Sequence, residues 1–285
     1  MEKSLKKYFW VFAGPTLICF IAVLVVPFIY GIVLSFAEFR SITGLTITGL
    51  TRTGFDNYVR AFSDTDFLNA LWFSARYTVI SAVLTNLIAF ALALMLSRGV
   101  KGTSLYRTLI FMPNLIGGIV LGYILRFIIN GALSAIGAAI TVDAGYGFWG
   151  LVILNNWQFT GCMMIIYIAG IQNISTDILE AAKIDGAGAW TTLTKITIPL
   201  VMPSITIAFF MSAANSFRMF DQNLALTTGL PGKETVGAAL DVYNTFYGRP
   251  GLEGVGQAKA VVFFIIAALI SFAQLSMTRK REVEN

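Results

Sequence analysis

Six windows of the sequence are long and apolar enough to cross a bilayer: about residues 8–36, 71–97, 105–129, 148–171, 200–226 and 258–277. A helix needs about 20 apolar residues to span the hydrocarbon core. Inside lipid every backbone polar group must be satisfied within the chain, so such windows are read as helices. Only 12% of residues are charged against 56% hydrophobic, whereas a soluble domain carries about 25% charged. The expectation is an all-α integral membrane protein with six transmembrane helices over residues 8–278. The apolar run of the first window is too long for a signal-peptide core, and no small-x-small cleavage site follows it, so it reads as an uncleaved span. Pro27 is its expected point of bending.

Lys and Arg set the orientation. With residues 1–7 inside, the inner set is Lys3, Lys6, Lys7, Arg98, Lys101, Arg107, Lys183, Lys195, Arg279, Lys280 and Arg281. The outer set is Arg40, Arg52, Arg60, Lys233, Arg249 and Lys259. The excess favours both termini, 1–7 and 279–285, on the cytoplasmic side. Arg76, Arg126 and Arg218 fall within or near spans and do not count. The same rule accounts for the net charge of +5, so nucleic acid is not an expected partner.

Enzyme chemistry finds little support. Histidine is absent, which removes the usual general base and the commonest metal ligand. Cys19 and Cys162 lie in separate apolar windows and form no CxxC pair. Gly229-Leu-Pro-Gly232-Lys233-Glu234 has the wrong spacing for a phosphate-binding loop, and Glu234 stands where Ser or Thr is needed. There is no GxSxG elbow. No catalytic residue, metal site or cofactor is expected in this chain. Any ATP and Mg would belong to partners.

Polar residues inside the spans carry more information, because an unpaired polar group in hydrocarbon is costly. In the fourth window Asn155, Gln158, Phe159 and Cys162 recur at i, i+3, i+4 and i+7 and share a helix face. Ser212, Asn215, Ser216 and Met219 repeat the pattern in the fifth. Counting ~1.5 Å per residue puts Gln158 and Asn215 at similar depth, near the midplane. Two polar-aromatic faces at one depth suit a transient site for a hydroxyl-rich solute. The same residues also suit interhelical hydrogen bonding within a bundle. Arg218 and Asp221, at i, i+3, read as a local ion pair.

Outside the spans, residues 55–62 form an amphipathic stretch expected to lie along the membrane surface. Residues 37–69 and 227–257 are the candidate outer contact loops. On the inner side lies the segment 172–199. Asp177 is the expected cap of a short helix, with Glu180 three residues on. Gly186 permits a sharp turn after Asp185. A second short helix is expected at about 190–195, and Pro199 is expected to stop regular pairing before the chain re-enters the membrane.

Glu180-Ala181-Ala182, then Gly186, then Ile196-x-Ile198-Pro199 resembles the loop of bacterial ABC-importer permeases. Their pattern is Glu-Ala-Ala, three residues, Gly, nine residues, Ile-x-Leu-Pro, and only Ile198 departs from it. Tyr106–Pro113, Phe220–Thr227 and Gln257–Val261 resemble the carbohydrate group, which imports maltose, oligosaccharides or glycerol phosphates. Within it the likeness is closest to the type of the larger maltose-transporter permease. This sequence departs from that type in having six windows instead of eight and no large external domain. The resemblance implies that Glu180, Ala181, Ala182, Asp185 and Gly186 contact an ATPase and that Pro199 sets the exit geometry. It also places Gln158, Phe159 and Cys162, and Ser216 where the related subunit has Asn, on sugar-contacting positions.

The expected function is therefore a permease subunit of an ATP-driven carbohydrate importer in a bacterial cell membrane. Expected partners are a second permease, two cytoplasmic ATPase subunits, an external solute-binding protein and an oligosaccharide substrate. A gradient-driven secondary transporter and a non-transporting membrane scaffold are the alternatives.

Overall fold

Prolines and glycines decide which apolar windows fold as one helix. The computed structural model describes residues 12–37, 55–97 and 101–279, and among them no strand occurs. The first helix, α1, is Phe12–Leu34; residues 8–11 of the expected window lie outside the described residues. The Pro27 ring would crowd the carbonyl four residues back. The helix widens there into a π turn over Ile21–Val25, and the Val26 N–H bonds to the Ile21 carbonyl.

α2, Asp56–Ser63, is the expected amphipathic stretch, with Asn57 and Ala61 buried. α3, Thr65–Leu96, starts earlier than the window near residue 71. Asp64 Oδ1 accepts from the Asp66 N–H at 3.0 Å, so a side-chain cap, not apolarity, sets its beginning. α4, Thr103–Leu115, and α5, Gly118–Ser134, meet at 102°. The third window is thus broken, not continuous. Pro113 sits in a 3-10 turn over Met112–Leu115, and the extended Ile116 and Gly117 follow.

α6, Ala144–Gln172, is unbroken through its apolar length and is capped by Asp143, which accepts from Gly145 and Tyr146 N–H. α7, Thr176–Ile184, is capped by Ser175 and not by Asp177, which stands in its first turn. Ser175 is the residue whose side chain reaches the Asp177 N–H, at 3.2 Å. α8, Ala189–Leu200, runs through Pro199 instead of stopping there. A π turn over Leu193–Thr197 precedes the proline, with Ile198 N–H bonded to the Leu193 carbonyl, the accommodation seen at Pro27. The chain breaks two residues later at Val201, and α9, Met202–Phe217, leaves at 71°.

The fifth window also ends early. α9 stops at Phe217, and a separate short helix α10, Asp221–Leu226, follows. α11, Ala238–Gly248, and α12, Glu253–Arg279, are the last helices among the described residues. Among the described residues four unbroken helices are long and apolar enough to cross a membrane, and counting each bent pair as one span makes up to six.

Two units divide the chain, and α3, α11 and α12 contribute residues to both. The larger comprises residues 68–241 and the chain from 265 onward. One core of it joins Phe73, Tyr77, Leu121, Phe148, Leu151 and Leu226. A second joins Ala89, Ala93, Met163, Met164, Tyr167 and Ala208. α4 crosses α6 at Gly161, where any Cβ would run into the Ile110 carbonyl. The smaller unit contains α1, α2 and residues 242–264. There Ser35 and Tyr58 hydroxyls lie 2.6 Å apart, and Asn57 Nδ2 donates to the Ala37 carbonyl at 2.9 Å. Lys259 Nζ, counted above among the outer charges, is fully buried and donates to Asp64 Oδ2 and Thr245 Oγ1, each at 2.8 Å.

Candidate functional site

A break in a membrane helix leaves backbone groups that need partners, and the polar residues of α6 supply one. Gln158 Nε2 donates to the Ile116 carbonyl at 3.1 Å, at the break between α4 and α5. Its Oε1 accepts from Gln222 Nε2 on α10 at 2.8 Å. Asn155 Nδ2 donates to Ser216 Oγ at 3.3 Å. Asn155, Gln158 and Ser216 are all buried, so these three bind helix to helix.

Ser212 is similarly engaged. Asn86 Nδ2 donates to Ser212 Oγ at 2.6 Å, and the Tyr167 hydroxyl donates to Asn86 Oδ1 at 2.6 Å. A neighbouring bond runs from Thr85 Oγ1 to Asn156 Oδ1 at 3.0 Å. Thr85 and Asn86 continue a buried polar row on α3 that includes Ser74, Thr78 and Ser81. That row is visible in the sequence at i, i+4, i+7 and i+11. Half-buried Cys162 packs against the second apolar core.

An open cleft of about 360 Å³ remains beside these contacts, lined by Phe159, Asn215, Arg218, Met219, Phe220, Asp221 and Gln222. Phe159, Asn215 and Met219 are the three expected pathway residues that reach it. Met219 lies beyond the end of α9, so the helical spacing assumed for it does not apply. The break itself contributes Arg218, Phe220 and Asp221. Arg218 Nε donates to the Ala214 carbonyl at 3.2 Å. Among the described residues no ion pair joins Arg218 to Asp221; the helix ends between them, and the i, i+3 geometry is lost.

The second feature is the α7–α8 corner. Gly186 has φ +77°. Its N–H bonds to the Lys183 carbonyl at 3.1 Å, and the Ala187 N–H reaches the Ala182 carbonyl at 2.9 Å. This left-handed stop suits glycine, which has no Cβ to clash. Glu180, Ala181, Asp185 and Gly186 are exposed and Pro199 is half-buried, but Ala182 faces inward. Ile184 is 86% and Trp190 75% exposed. These two large apolar side chains, which the sequence reading did not single out, flank the turn.

A cleft with amides, one cation, one anion and aromatic rings can exchange hydrogen bonds with a polar solute. An exposed corner with apolar side chains is fit to meet another protein. The chain is 39% identical to AmyD of Thermoanaerobacterium thermosulfurigenes, called a probable starch degradation products transport system permease protein, over 97% of this chain and 96% of the relative. It is 29% identical to MsmF of Streptococcus mutans, a multiple sugar-binding transport system permease protein, over 99% of each. In fold it is similar to a chain of a bacterial ABC transporter that imports the acidic polysaccharide alginate, with a TM-score of 0.79, 21% identity and 98% coverage of both chains. Residues 85–281 match the profile of the binding-protein-dependent transport system inner membrane component, and the chain belongs to that family of multi-pass membrane permeases.

Proposed function

We propose that this chain is one permease subunit of an ATP-driven oligosaccharide importer working by alternating access. The observation that carries the reading is end-to-end similarity to a permease named for starch degradation products. The cleft supports it: Phe159 and Phe220 offer apolar faces, while Asn215, Arg218, Asp221 and Gln222 offer hydrogen-bonding groups. Sugars present this same pairing of apolar faces and polar edges.

The α7–α8 corner would dock an ATPase subunit through Glu180, Ala181, Asp185, Gly186, Ile184 and Trp190. Ala182 would act from inside by packing the helix, and Pro199 by shaping the return of the chain. Two ATPases, a second permease and an external solute-binding protein complete the proposed assembly, with ATP and Mg on the ATPases. Family membership supports the binding-protein partner. Both termini would be cytoplasmic. With Lys259 buried, the outer tally of surface cations loses one member, which strengthens that orientation.

The test is the variant Glu180→Lys with Gly186→Pro. Loss of ATPase co-purification and of ATP-dependent sugar uptake is expected. Retention of both would overturn the docking assignment, and sugar uptake by this chain alone without ATP would overturn ATP-driven import.

A further inference from the structure

We propose that Arg218 and Asp221 make this subunit's wall of the cleft selective for neutral over anionic oligosaccharides, a step that rests on the carbohydrate reading above. Both residues are exposed and both line the cleft. They stand on opposite sides of the helix break, Arg218 at the end of α9 and Asp221 at the start of α10. The Arg218 Nε bond to the Ala214 carbonyl fixes the base of the guanidinium. Among the described residues no hydrogen bond or ion pair reaches the Asp221 carboxylate, and neither charge closes a structural contact with the other. The Asp221 Cβ packs beside Gly118, but no polar contact among the described residues occupies its carboxylate, which is available to a solute.

Chemistry then separates the substrate classes. A sugar hydroxyl both donates and accepts. A neutral glycan can accept from the Arg218 guanidinium and donate to the Asp221 carboxylate, with Asn215 and Gln222 at hand. A uronate or phosphate group would gain at Arg218 what it loses at Asp221. An unopposed arginine in the cleft would instead attract carboxylates and phosphates by paired hydrogen bonds. Asp221 is thus the repulsive element that specificity requires.

The experiment measures equilibrium binding of trisaccharides to the complete importer complex, purified without its solute-binding protein. The probes are neutral maltotriose, raffinose and xylotriose, and anionic trigalacturonate. Wild type is expected to favour a neutral probe. Asp221→Asn should raise the ratio of anionic to neutral binding about tenfold, the scale of one unit charge a few ångströms away in a partly wet site. Arg218→Gln should lower it. Asp221→Glu, and the exchange of charges in Arg218→Asp with Asp221→Arg, should keep the wild-type ratio. If Asp221→Asn binds the neutral probe normally and its ratio is unchanged, charge selection is wrong and the carbohydrate reading stands. If wild-type complex binds none of the four, the carbohydrate reading itself falls.

Discussion

Gln222 Nε2 donates to Gln158 Oε1 at 2.8 Å, and the far end of the same Gln158 amide donates to the Ile116 carbonyl. One side chain near the middle of α6 therefore ties the broken third span to the short helix after the broken fifth. Gln222 also lines the cleft, so the bond connects the candidate site to the backbone break.

Gln158→Leu should strand two polar groups, the part-buried Ile116 carbonyl and the buried Gln222 amide. A buried polar group without a partner costs about 1–3 kcal/mol, and interhelical bonds in membranes lie toward the lower end of that range. The expected loss is about 1–2 kcal/mol of stability, read as a lower unfolding midpoint of the purified complex. An unchanged midpoint would show that the link contributes nothing.

Asn86 is the hub of the second network. It accepts from Tyr167 at 2.6 Å and donates to Ser212 at 2.6 Å and to the Ala82 carbonyl at 2.7 Å. Asn86→Leu and Tyr167→Phe should each destabilise the protein by about 1 kcal/mol. Their double variant should cost less than the sum, because either change already breaks the shared bond. Strict additivity in thermal or denaturant unfolding would refute coupling between them.

These two networks show where the sequence was legible. Residues at i, i+3, i+4 and i+7 do share a helix face, as Asn155, Gln158 and Phe159 illustrate. Helical periodicity does not say what the face meets. Asn155 and Gln158 meet other helices, whereas Phe159 reaches the cleft. Hydropathy finds the apolar windows but counts residues without regard to their geometry, so it does not show the break at Ile116–Gly117, whereas the break at Val201 falls two residues past the stop expected at Pro199. The sequence signal of the first is Gly117-Gly118. Gly186 was the easier case, because a left-handed stop depends on one residue and its immediate neighbours. Asn86, Tyr167 and Gln222 were missed because each matters only through a partner distant in sequence.

The ion pair of buried Lys259 with half-buried Asp64 in the smaller unit gives a pH prediction. Burial of Asp64 raises its pKa, but the Lys259 hydrogen bond and charge, the Asp66 N–H and the Arg249 charge together outweigh burial and lower it from 3.8. A carboxylate with a depressed folded pKa contributes stability that is fully present above its unfolded pKa. That contribution disappears as pH falls through the folded value. The Asp64 contribution should therefore be constant with pH near neutrality and should decline below about pH 4. Lys259→Met leaves the carboxylate without its nearest cation and should cost about 1–2 kcal/mol, less than in a fully buried pair, because Asp64 is partly exposed and Arg249 stays 3.6 Å away. Adding Asp64→Asn, which removes the charge but keeps the Oδ1 acceptor for the Asp66 N–H, should recover most of the loss, measured at neutral pH by unfolding midpoint. No recovery would mean that Lys259 acts mainly through Thr245, its other 2.8 Å partner.

The α7–α8 corner separates a structural role from a docking role in one comparison. Gly186 holds φ +77°, a conformation that costs an L-residue about 1–2 kcal/mol. Gly186→Ala should lower stability by about that amount and loosen the turn. Trp190 is 75% exposed, and surface changes away from special features shift stability by only about 0.5 kcal/mol. Trp190→Ala should therefore leave the unfolding midpoint unchanged while weakening ATPase co-purification and ATP-dependent uptake. If Trp190→Ala lowers the midpoint as far as Gly186→Ala does, its ring packs within the fold and does not dock. If it changes neither stability nor co-purification, the docking surface lies on the Glu180 side of the turn.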